Sequence, residues 1–148
     1  VDLDALKAKV CGQVDTLAER LVEVSHEIHE HPELGYEEHF AHDALTSTLE
    51  NHDVDVERGA YDLPTAFDAR SGGEGPVVAI CCEYDALPGI GHACGHNVIA
   101  AAGLGAGLAL AAVAIDAGGR VRILGTPAEE GGAGKVLMAE RGAFDGVD

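Results

Sequence analysis

Tryptophan is absent from this 148-residue chain, and three tyrosines with three phenylalanines are its whole aromatic content. A core built from a 47% apolar composition must therefore come largely from Ala, Val, Leu and Gly. Basic residues are scarce too: Lys7, Lys9 and Lys135 are the lysines, and Lys+Arg number 9 against 26 acids, for a net charge of −17. That deficit excludes nucleic acid as a partner, since affinity there comes from neutralising phosphates. It equally excludes docking on an anionic membrane surface. The acidic excess by itself speaks of solubility or salt adaptation.

Other absences narrow the class further. No basic stretch followed by an apolar one opens the chain, so no signal peptide is expected. Cys81 and Cys82 are adjacent, Cys11 lies in a helical pattern and Cys94 sits between two histidines, which is no spaced disulfide framework. A reducing compartment, the cytoplasm, follows. No Cys-x-x-Cys is present to support a thiol redox role. The uncharged run Val98–Ile115 reaches membrane-span length, but its Ala/Gly content and the soluble sequence after it favour a helix buried against a sheet. Gly103, Gly105 and Gly107 lack the third glycine of a dinucleotide fingerprint, position 108 being Leu, and read as sites of close packing.

The length allows one domain with a real core. Apolar residues at helical spacing (Leu6, Val10, Val14, Leu17, Leu21, Val24, Ile28) predict a helix over 4–30, capped by Asp2 or Asp4 and ended by Pro32. A second helix is expected from Glu37 to about Asn51. Val54 and Val56 alternate with acids, and 65–69 reads as a short strand before a turn at 71–76. Val77–Cys82 is a continuous apolar run, expected as a strand buried on both faces. A strand over 119–125 and a helix over 134–141 follow. The alternation predicts an α/β fold, a mixed or parallel sheet flanked by helices.

Ligand sites in such folds gather beyond the carboxyl ends of strands. Here one strand leads into Glu83-Tyr84-Asp85-Ala86-Leu87-Pro88-Gly89 and then Gly91-His92-Ala93-Cys94-Gly95-His96-Asn97. Another leads into Thr126-Pro127-Ala128-Glu129-Glu130-Gly131-Gly132. Thiolate, imidazole and carboxylate at one rim are the donors of a transition-metal site. In an extended loop, Cys94 and His96 flanking Gly95 would project to one side. Adjacent Glu129 and Glu130 would point apart, one toward a metal and the other toward its water. That division suits metal-assisted hydrolysis, in which the ion brings the water's pKa toward ~7 and a free carboxylate takes the proton. His26, His29, His31, His39 and His42 are also grouped in sequence, but without an identifiable acidic or thiol partner they read as helix-surface and loop residues.

Tyr84–Pro88, His92–Asn97 and Pro127–Gly132, preceded by His31-Pro32-Glu33-Leu34-Gly35-Tyr36-Glu37-Glu38, resemble the M20 metallopeptidases. The resemblance is to the Cys-Gly-His amidohydrolase branch, toward aminobenzoyl-glutamate hydrolase and β-alanyl-lysine dipeptidase-like members. It spans about residues 20–145, with the motifs in family order. It implies a metal-bridging thiolate at Cys94, metal ligands at His96 and Glu130, and the general base at Glu129. Asp85 is implied as the acid that completes the catalytic set by orienting a ligand. Asn97 stands where an Asp is commoner, which would alter the electrostatics near His96.

The resemblance further implies two divalent ions, zinc or manganese, and a small amide or dipeptide-like substrate. It implies a homodimer through a lid or dimerisation domain. Residues 1–148 would then be the N-terminal portion of a metallo-exopeptidase-like catalytic domain, with the remaining histidine ligands, the lid and the rest of that domain elsewhere. The expected activity is metal-dependent hydrolysis of an N-acyl amino acid, aminoacyl-glutamate or dipeptide, with the isolated chain inactive. The alternative is a non-catalytic fragment or relative that keeps the fold for binding or assembly.

Overall fold

A computed structural model describes residues 2–148. Helix α1 spans Leu3–Glu30. Asp2 caps it, its carboxylate accepting the amides of Asp4 and Ala5 at 3.1 Å each, which satisfies N–H groups that have no partner within the helix. Pro32 drives His31 out of the helical region (φ −122°, ψ 67°) and ends the run. Helix α2 spans His39–Glu50. The strands are β1 (Asp55–Arg58), β2 (Phe67–Gly72), β3 (Val77–Cys82) and β4 (Arg120–Gly125), and the later helices are α3 (His96–Ala111), α4 (Ala114–Ala117) and α5 (Gly134–Glu140).

The four strands form one mixed sheet in the order β1-β2-β4-β3. β1 pairs with β2 and β2 with β4 antiparallel, while β3 runs parallel to β4. Alternation along β4 divides the core. Val121 and Ile123 join Phe67, Ala69 and Cys82 against Leu17, Val24 and Ile28 of α1, Leu45 and Leu49 of α2, and Leu104 and Leu108 of α3. Leu124 faces the opposite side, where Met138, Ala143, Leu63 and Ala66 pack. Each fully buried Leu or Ile there contributes about 1.5–3 kcal/mol.

The glycines of α3 do what their spacing suggested. Gly103 abuts Cys82 and the Cys81 carbonyl, Gly105 meets Leu21 of α1, and Gly107 lies on Ile123 of β4. No helix of the described residues is long and apolar enough to cross a membrane; the uncharged run breaks after Ala111 into α4.

Three expectations change. β3 is not buried on both faces: Val78 is 53% exposed where its face is left uncovered, and among the described residues the strand pairs with β4 alone. β2 begins at Phe67 and carries through Ser71 and Gly72, since pairing with β4 continues to Gly72↔Arg120. His96 opens α3 instead of lying in an extended loop.

Candidate metal centre

β3 and β4 end side by side, with Cys82 paired to Gly125. The Thr126 amide donates to the Cys82 carbonyl at 2.9 Å, so the two following loops leave one rim together. Gly95, at φ +82°, turns the first loop into α3; a left-handed residue at this point suits glycine. The turn brings Cys94 and His96 to the second loop by a helix start where an extended segment had been expected.

His96 is buried, and its Nδ1 lies 2.9 Å from the Asp85 carbonyl oxygen and 3.0 Å from Asp85 Oδ1. Both neighbours are acceptors, so Nδ1 carries the proton and Nε2 is left as a lone-pair donor. Around Nε2 stand Glu83 Oε2 at 3.3 Å, Glu129 Oε2 at 3.6 Å and Glu130 Oε1 at 3.6 Å. Asp85 Oδ2 accepts the Glu130 amide at 2.9 Å, so a single buried aspartate ties both loops together. Glu129 and Glu130, expected to diverge, converge on the same imidazole. Burial pushes the Cys94 thiol up, helped by Glu130 and opposed by the His96 amide.

Two groups of ligand atoms lie within 4.8 Å of one another: Cys94, His96 and Glu130, and Glu83, His96 and Glu129. Glu83, Asp85, Glu129 and Glu130 crowd one imidazole and one thiol, and among the described residues the ion-paired lysine at hand is Lys135, bound to Glu83. Such a mixed sulfur, nitrogen and oxygen donor set, rich in negative charge, fits a divalent metal ion. Glu83 carried no assigned role in the sequence; its signal is its position directly after β3, facing the same rim as the motifs.

Other residues fall outside the cluster. Asn97 donates to Ser25 Oγ at 3.0 Å and so faces α1, away from the donor atoms of His96. His31 stacks on Phe40, His42 is buried, where desolvation lowers its pKa, and neither belongs to a three-donor group among the described residues. His92 is buried beside His29, and among the described residues neither ring nitrogen has a hydrogen-bond partner. Cys82 is buried in the core, which raises its pKa well above the ordinary thiol range, and Cys81 is raised by burial as well.

No protein-family model matches the chain. It is 43% identical over 161 aligned positions to the Xaa-Arg dipeptidase of Mus musculus, covering 99% of this chain and 37% of that protein. To a p-aminobenzoyl-glutamate hydrolase polypeptide of Escherichia coli it is 36% identical, over 88% of this chain and 31% of that one. Its fold matches the crystal structure of the Bacillus subtilis YXEP protein, described as a dinuclear metal binding peptidase from the M20 family, with a TM-score of 0.80 and 30% identity over 90% of this chain and 42% of that one. The chain thus spans about a third to two fifths of the length of these relatives. Shared motifs, shared fold and these identities together place the chain in the M20 family of peptidases and amidohydrolases.

Proposed function

We propose that the protein of which this chain is part hydrolyses an amide bond in an N-acyl amino acid, aminoacyl-glutamate or dipeptide-like substrate, with two divalent ions held in part by Cys94, His96 and Glu130. The observation that carries the reading is the convergence of thiol, imidazole and carboxylates from two loops in two donor groups, each within 4.8 Å, that share His96. Bound there, such ions would activate water and polarise a carbonyl. The chain's own residues supply the rest. Asp85 holds the His96 proton on Nδ1 and keeps Nε2 free to ligate. It also holds the Glu130 amide, which sets the second loop. Glu129 has its Oε2 in the cluster and its side chain 39% exposed, so it can take a proton and pass it to a leaving amine.

On this reading, residues 1–148 are the N-terminal portion of a catalytic domain, completed by further ligands and a dimerising lid. Four free cysteines fit a reducing cytoplasm. Replacing Glu129 with Gln in the intact protein is expected to leave metal content unchanged and to lower kcat on an N-acyl amino acid and dipeptide panel by at least about 100-fold. Substantial residual turnover would remove Glu129 from the role of base. Loss of turnover together with loss of metal would make it a ligand.

A further inference from the structure

The motif His31–Glu38 lies outside the donor cluster, yet it contacts both loops that build it. The Glu33 carbonyl accepts the Ala86 amide at 2.8 Å, beside Asp85. Its carboxylate accepts the Phe40 and Ala41 amides at 2.9 and 3.1 Å, which fixes the start of α2. Tyr36 donates its hydroxyl to the Gly132 carbonyl at 2.5 Å. Glu38 is fully buried; its Oε2 accepts the Thr65 hydroxyl and its Oε1 the Ala128 amide, each at 2.8 Å.

Ala128 is where the second loop is strained. Its φ is +56°, a left-handed conformation that a residue with a side chain adopts only when its surroundings impose it. The imposition is visible. Gly35 and Gly132 press on the Ala128 methyl, so closely that a Cβ on Gly35 would sit 2.8 Å from it. The Glu38 carboxylate takes the amide. Glu129 and Glu130 follow directly, so the direction of both carboxylates depends on the Ala128 backbone.

We infer that Glu38, assisted by Tyr36, is a positioning residue that locks the left-handed turn at Ala128 and thereby aims Glu129 and Glu130 at Cys94 and His96. The inference rests on the metal-site reading for its consequence, and on hydrogen bonding alone for its cause. A carboxylate accepts from both Thr65 and Ala128. An amide keeps the Ala128 bond through its oxygen and donates to the Thr65 hydroxyl, so Glu38→Gln should work where Glu38→Ala does not.

Two readouts on the intact protein test this. In metal-free protein, Glu38→Ala is expected to speed hydrogen exchange of the Ala128 amide roughly tenfold while α1 and α3 stay protected. In a Co2+ titration, Glu38→Ala is expected to weaken binding about 10–100-fold, and the thiolate-to-cobalt absorption from Cys94 persists at saturation. Glu38→Gln should restore both. If Glu38→Ala does not fold, Tyr36→Phe applies the test from the other end of the loop, with the same direction at Gly132 and in the titration. Uniformly faster exchange with unchanged Co2+ affinity of the folded protein would overturn the inference and leave Glu38 a general stabiliser. A wild type that binds no Co2+ would overturn the metal reading, and the Ala128 exchange would still decide whether the clamp exists.

Discussion

His96 and Asp85 meet at two points: ring Nδ1 lies 2.9 Å from the aspartate's carbonyl oxygen and 3.0 Å from its Oδ1. The backbone contact fixes where the ring sits, and the carboxylate contact adds charge that makes Nε2 a better donor. Because Asp85 Oδ2 also accepts the Glu130 amide, removing one side chain loosens a ligand on each loop. Asp85→Ala is therefore expected to weaken zinc binding about 10–100-fold in a competition titration. Asp85→Asn loses the charge and sets an NH2 against either the His96 Nδ1–H or the Glu130 amide, so it should weaken binding as well. Equal affinities for all three proteins would show that the backbone carbonyl suffices.

The glycine stripe of α3 permits a second expectation. Alanine is the better helix former by about 1 kcal/mol, so propensity alone says that Gly107→Ala stabilises. The structure says the opposite. A methyl at 107 would collide with the Ile123 side chain on β4, and overpacking of a filled core costs about 1–3 kcal/mol. Urea unfolding should show a lowered midpoint. A raised midpoint would mean that α3 and β4 are packed less closely than described.

Asp68 shapes the acid limb of stability. It is buried on β2, with Oδ2 2.6 Å from a guanidinium nitrogen of both Arg122 and Arg70 and 2.5 Å from the Tyr61 hydroxyl. Burial pushes its pKa up, but the hydrogen bonds from Arg122, Arg70 and Tyr61 outweigh it and hold the carboxyl below its ordinary value. With the folded pKa below the unfolded one, the contribution is complete above the unfolded value. It is lost as the pH falls through the lowered pKa. Asp68→Asn should cost about 3 kcal/mol at neutral pH, since it leaves the largely buried Arg122 guanidinium without its charge partner, while the exposed Arg70 keeps water and Glu57. It should also flatten the acid limb of a stability–pH profile measured by urea unfolding. An unchanged profile would show that other carboxylates govern acid unfolding.

Much of this molecule is local in origin and could be read from residue order. α1 follows from apolar spacing that ends at Pro32, Val77–Cys82 is a strand by its apolar run, and 119–125 is the next strand, as expected. Cys94, His96, Glu129 and Glu130 stand out because such donors rarely gather after buried strands without chemistry to do. The resemblance of their motifs to the M20 family agrees with the relatives and the fold.

Tertiary pairing decided the rest, because its partners are distant in sequence. That β3 lies at an edge depends on where β2 inserts, next to β4 and away from β3, and no period within β3 encodes a neighbour's position. That Asn97 turns toward Ser25 depends on α3 crossing α1. Glu83 joins the cluster, and Glu38 reaches across 90 residues to Ala128, only because parallel pairing of β3 with β4 brings two loop starts to one rim. Sequence alone thus determined which donor types are available and roughly where the elements run. Side-chain direction at a loop is set by contacts made after the chain has folded back on itself, so only the tertiary structure decided which carboxylates face His96 and what holds them there.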